Sequence, residues 1–204
     1  MARPPQDPQI RINEILDTAK YLFSSKGYFG TTVSDIAKKM GVTQGMFYYY
    51  FKSKEEILEE LLKRQTAILV SEVREMTYSS FLPSEKLGLL TGIIIKSIRA
   101  QGMELLDTVY HEKNLHIKNK LIQEVTGLLT PWGLRILEEG QRCGEFKVEH
   151  PPTSWSFILL VNEFLIDALY EKIADDLLEL RVRLAESLIE RVVGLPAGKI
   201  HILF

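Results

Sequence analysis

One cysteine in 204 residues, Cys143, excludes an intrachain disulfide and any cluster of thiolate metal ligands, so the chain is held together by packing. Long apolar runs are missing as well. The longest without tyrosine, Phe157 to Val161, falls far short of the roughly 18 residues that a membrane-spanning helix needs. The start, MARPPQDPQ, has no apolar stretch of the signal-peptide kind, so a cytoplasmic chain that meets no membrane is expected. There is no G-x-G-x-x-G or G-x-x-x-x-G-K loop to cradle phosphate, and no G-x-S-x-G elbow to present a nucleophilic serine. His111, Glu112 and His116 hint at a zinc protease. That pattern needs histidines four apart on one helix face, whereas a spacing of five turns the second by about 140°. No catalytic set, metal or cofactor is expected.

What is present is an apolar fraction of 46%, enough for a real core, and an uneven distribution of charge. Residues 1–54 hold eight basic and four acidic groups, a net of +4, and by difference the rest of the chain carries a net of −6. A basic head on an acidic body points to a polyanion as the partner of the head alone.

The apolar period is helical nearly everywhere, which makes the fold all-α. Ile12, Ile15, Leu16, Ala19, Leu22 and Phe23 form one stripe that stops at Lys26-Gly27, predicting a first helix over about residues 9–26. Thr32 and Asp35 read as a capping pair for a short second helix closed at Gly41. Thr43 caps a third through about Tyr50, and Ser53 with Glu56 opens a long fourth helix to about Tyr78. Beyond Pro83, helices are expected at about 84–100, 103–111, 113–129, 131–143, 153–173 and 176–193, with Pro131 starting one of them. The first eight residues and the tail after Pro196 read as poorly ordered. The chain thus divides into a small basic head, 1–54, and an all-helical body, 55–204.

Two short helices joined at Gly41, the second with polar residues at its N-terminal end and aromatics beyond, meet the needs of a helix-turn-helix. Residues 12–62 closely resemble the DNA-binding head of the tetracycline-repressor (TetR) family. The resemblance rests on Phe23, Lys26-Gly27-Tyr28, Thr31-Thr32-Val33, Ile36-Ala37, Gly41-Val42, Gly45, Phe47-Tyr48, Phe51 and Ser53-Lys54-Glu55-Glu56. It covers about a quarter of the chain. It implies a three-helix head on a body of about six helices, a homodimer, a double-stranded palindromic operator and a small-molecule effector that releases the protein from DNA. The chain departs from the pattern at Tyr48-Tyr49-Tyr50, where members often carry histidine, and at Met46, where a small polar residue is common.

Carried over by position, the resemblance implies that Thr32 bonds a phosphate while capping its helix and that Ser34 reaches a base or the backbone. Thr43, Gln44, Gly45 and Met46 form the leading edge of the recognition helix, Gln44 suited to adenine and Met46 to a thymine methyl. Tyr48 and Tyr49 would give hydroxyls to phosphates, Tyr50 would lie near backbone or bases, and Lys54 would neutralise a phosphate. Arg3 reads as part of an unstructured tail rather than a minor-groove arm. In the body, Met103, Tyr110, His111, Trp132 and Asn162 are the candidate effector contacts. The scarcity of charge around residues 87–95 and 155–169 suggests an apolar or amphipathic molecule. The segment 155–169 is apolar on two faces, so Phe157, Val161, Phe164 and Ala168, with Leu184 and Leu188 of the next helix, are the candidate dimer contacts.

Overall fold

The computed structural model describes residues 7–101 and 103–203, and Arg3 therefore lies outside the described residues. Among them the chain forms nine α-helices and no strand: α1 (Pro8–Lys26), α2 (Val33–Met40), α3 (Gln44–Tyr50), α4 (Lys54–Thr77), α5 (Pro83–Gln101), α6 (Met103–Tyr110), α7 (Leu115–Arg142), α8 (Pro151–Tyr170) and α9 (Asp175–Val193). None of them is long and apolar enough to cross a membrane.

The chain folds as two compact units. One runs to Thr66 and takes up Gln101–Ile117; the other comprises Ala67–Ala100 and the chain from Lys118 onward. This division is not at residue 54: the first half of α4 and the α6 corner belong with the head. Within that first unit, Ile15, Leu16, Ala19 and Phe23 of α1 face a common core with Ile36, Ala37, Phe47 and Phe51. Asp7 starts α1 by accepting from the Gln9 amide at 2.8 Å, with Pro8 at the first helical position, so helix begins inside the stretch expected to be loose. Arg64 of α4 reaches Asp17 of α1 at 2.8 Å.

The second unit departs from expectation in two places. Pro131 starts no helix but sits within α7, which is continuous over 28 residues. The carbonyl that loses its amide partner belongs to Gly127, and both Gly127 and Pro131 are exposed, so the lost bond falls on the solvent side of the helix and not in the core. The tail after Pro196 is packed rather than loose. Ile200 and Ile202 are buried, the Lys199 and Ile200 amides donate to Glu190 at 2.6 and 3.0 Å, and the Ile202 amide donates to Glu186 at 2.8 Å. Gly88 and Gly92 of α5 make room for this strap. A Cβ on either would lie 2.2 Å from the carbonyl oxygen of His201 or Leu203. Trp155 uses the same device, its ring lying on Gly133 while its indole N–H donates to Thr130 Oγ1 at 3.1 Å.

Candidate nucleic-acid interface

The geometry of the α2–turn–α3 segment follows from local polar bonds. Thr32 Oγ1 accepts from the Asp35 amide at 3.1 Å, and Asp35 accepts in return from the Thr32 amide at 2.8 Å, a complete capping box. Lys26 Nζ also donates to Asp35 at 2.9 Å. That bond, followed by those from Thr32, holds the Asp35 carboxyl well below the usual carboxylate range. At the other end Gly41 takes the left-handed conformation, φ 67°, and the Val42 amide returns to the Ala37 carbonyl at 3.0 Å. Thr43 then caps α3 by accepting from the Met46 amide at 3.3 Å.

Capped in this way, α3 presents two faces. Phe47 is sealed in the core and Phe51 closes behind it, while Thr43, Gln44, Gly45, Tyr48 and Tyr49 are exposed, Tyr49 at 80%. Met46 and Tyr50 are half-buried, the Tyr50 ring lying edge-on to Tyr49 with centroids 4.9 Å apart. The outward face of α3 therefore offers an amide, hydroxyls and aromatic rings without a single carboxylate. Ser34, the second residue of α2, is half-buried.

Two of the expected phosphate contacts are engaged within the chain. The Thr32 hydroxyl donates to Asp35 at 2.8 Å, so its proton is spent on the cap. Lys54 Nζ donates to the carbonyls of Tyr28 and Thr31 at 2.7 and 2.9 Å and rests 4.2 Å from the centroid of the Tyr28 ring. It ties α4 to the loop before α2. Burial pushes the Lys54 ammonium down from its ordinary value and, with the charge of Glu55 second, pushes the Tyr28 phenol up to about 12. The carbonyls that receive Lys54 carry no side-chain signal, which hid this role from sequence reasoning.

The candidate effector residues are divided between the two units. Met103, Tyr110 and His111 belong to the first unit and Trp132 and Asn162 to the second. His111 accepts from the Lys113 amide at 3.2 Å and lies against Phe29, ring centroids 4.3 Å apart, while His116 meets Glu55. Trp132 packs edge-on to Tyr78, centroids 6.0 Å apart. Asn162 is buried, its amide donating to the Ile158 carbonyl at 2.8 Å and its Oδ1 left without a donor; Thr91 Oγ1 is likewise buried and unpartnered.

The candidate dimer residues separate too. Phe157, Leu184 and Leu188 are exposed and Phe164 is half-buried, but Val161 and Ala168 are buried within the chain itself. The inner stripe of α8 runs Ile158, Val161, Leu165, Ala168, in steps of three and four, so both residues lie on the inward face. Leu160, Leu177 and Leu180 are exposed instead, at 58%, 42% and 54%, and extend the outward apolar surface of α8 and α9.

Residues 15–61 match the family described as bacterial regulatory proteins, tetR family. The HTH-type transcriptional repressor KstR2 of Mycolicibacterium smegmatis is 35% identical over 96 residues, 47% of this chain and 45% of that protein, so the chain spans about half the length of that relative. The fatty acid metabolism regulator protein of Bacillus subtilis is 30% identical over 136 residues, 66% of this chain and 70% of that protein. Among solved structures, the transcriptional regulator FadR from Bacillus subtilis in complex with stearoyl-CoA superposes with a TM-score of 0.67 at 25% identity, covering 93% of this chain and 99% of that one.

Proposed function

The chain belongs to the TetR family of bacterial regulatory proteins, and from that premise we propose that it is a DNA-binding transcriptional repressor, working as a homodimer on a palindromic operator and released by an acyl-bearing effector. One observation carries the DNA-binding part: α3 is capped at Thr43, anchored through Phe47 and free of carboxylates on its exposed face. A helix of that kind fits the major groove, where Gln44 pairs with adenine N6 and N7 and Met46 meets a thymine methyl. Ser34, Tyr48, Tyr49 and Tyr50 supply backbone contacts. Lys54 and Thr32 act by holding α4 and α2 in place.

The dimer reading rests on Phe157, Leu160, Leu177, Leu180, Leu184 and Leu188, apolar residues that α8 and α9 leave exposed. A second copy covers them and spaces two α3 helices by about one DNA turn, roughly 34 Å. The effector reading rests on the buried, unpartnered oxygens of Thr91 and Asn162 on apolar helices and on the stearoyl-CoA held by the similar FadR structure. An effector favours release only through stronger binding to the form that leaves DNA, and α4, shared by both units, carries that preference to the head.

The test is fluorescence anisotropy on a selected operator duplex. Gln44→Ala is expected to cost roughly 1 to 3 kcal/mol on the preferred sequence and to relax base preference at one position per half-site. Equal loss on all sequences removes the readout role. Stearoyl-CoA is expected to raise the operator Kd, and an unchanged Kd at saturating stearoyl-CoA removes the effector class. A monomer in sedimentation at micromolar concentration removes the dimer.

A further inference from the structure

The second unit has an open, solvent-facing pocket of about 490 Å³ where α4 ends, α5 begins and α7 ends, bordered by Tyr78, Lys86, Arg135, Glu139 and Arg142. Arg135, Glu139 and Arg142 follow one another at i, i+4 and i+7 and so share one face of α7. The middle member is spoken for. Lys86, only 2% exposed, brings its ammonium to 2.8 and 2.9 Å from the two oxygens of Glu139. The carboxylate charge is thereby spent on a buried cation, and the two guanidiniums on either side of it are left uncompensated. Arg135 lies over the ring of Tyr78, 4.5 Å from its centroid. Arg142 turns only its Nε to the Glu138 carbonyl at 3.4 Å. Neither guanidinium has a carboxylate partner among the described residues.

We propose that this open pocket binds a small molecule carrying a diphosphate, one phosphoryl group on each of Arg135 and Arg142. Guanidinium forks match phosphoryl oxygens in pairs, and two of them are set about 10 Å apart along the helix axis, a span their long side chains close onto two linked phosphoryl groups. A single carboxylate would occupy one fork and leave the other empty. The site lies within the second unit, and because stearoyl-CoA itself carries a diphosphate it is tested with pyrophosphate and ADP, whose binding is read independently of release from DNA.

Calorimetric titration of the full chain with pyrophosphate, inorganic phosphate and ADP at about 0.1 M salt tests the proposal. Pyrophosphate is expected to bind once per chain, about tenfold more tightly than inorganic phosphate; Arg135→Gln and Arg142→Gln each weaken it about tenfold, and the double variant abolishes it. Both arginines are exposed, so the variants should melt with the wild type, which circular dichroism checks. ADP bound more tightly than pyrophosphate assigns the diphosphate to a nucleotide, and equal affinity assigns it to a diphosphate without a recognised base; either result supports the site. No saturable binding of pyrophosphate to the wild type, unchanged binding in the double variant, or equal affinity for phosphate and pyrophosphate overturns it.

Discussion

Gly41 in the head and Gly88 in the second unit are held to glycine by different forces. Gly41 has φ 67° and open space around its Cα, so only its backbone conformation requires glycine there. Gly88 has an ordinary helical backbone, but the carbonyl of His201, over a hundred residues away in sequence, occupies the place a Cβ would take. The contrast extends to the regions around them. The α2–turn–α3 segment is fixed by bonds between residues a few positions apart, at Thr32 and Asp35, Ala37 and Val42, Thr43 and Met46. The second unit is fixed by distant partners, Gly88 with His201, Gly133 with Trp155, Lys86 with Glu139. Structure held by local bonds is specified residue by residue; structure held by distant ones exists only when the whole unit has formed.

The largest test of this contrast is Gly88→Ala. The methyl cannot coexist with a carbonyl at 2.2 Å, so the strap must lift and expose Ile200 and Ile202, at a cost of about 3 kcal/mol in urea unfolding. A loss well under 1 kcal/mol would mean that the strap contributes little to the unit. Gly41→Ala meets no atom and bears only the strain of a left-handed residue, about 1 kcal/mol, read in the same experiment. If Gly41→Ala proves the more damaging of the two, the contrast fails.

The smallest effect is in the acid response of the head. Because Asp35 is held below its ordinary value of 3.8, the stability it contributes is fully present above that value and is lost as pH falls below it. Asp35→Asn is expected to lower the melting temperature near pH 7 and to flatten its decline below about pH 4. A variant that declines as steeply as the wild type assigns the acid sensitivity elsewhere.

The same contrast explains how much the sequence disclosed. The caps at Thr32, Thr43 and Ser53, the turn at Gly41 and the inward Phe47 were legible because each depends on a few neighbouring residues. The all-helical fold and the family were legible for the same reason, the family through a signature confined to the head. The bonds that Lys54 makes within the chain were not legible, because its acceptors are backbone carbonyls 23 and 26 positions away. Pro131 and the tail misled because a proline and a turn-rich terminus are judged by local propensity, whereas α7 and the strap are kept by burial elsewhere in the unit. On α8, apolar residues circle the helix, and only the packed unit distinguishes the inward Val161 and Ala168 from the outward Phe157 and Leu160.

Selection of random duplex DNA by the purified full chain, followed by binding of the enriched sequence across a salt series, tests the central claim most directly. The account predicts a palindrome with half-sites about 10 base pairs apart, bound by a dimer with an affinity that falls steeply as salt rises. A folded, dimeric preparation that enriches no motif, with and without stearoyl-CoA, would contradict it.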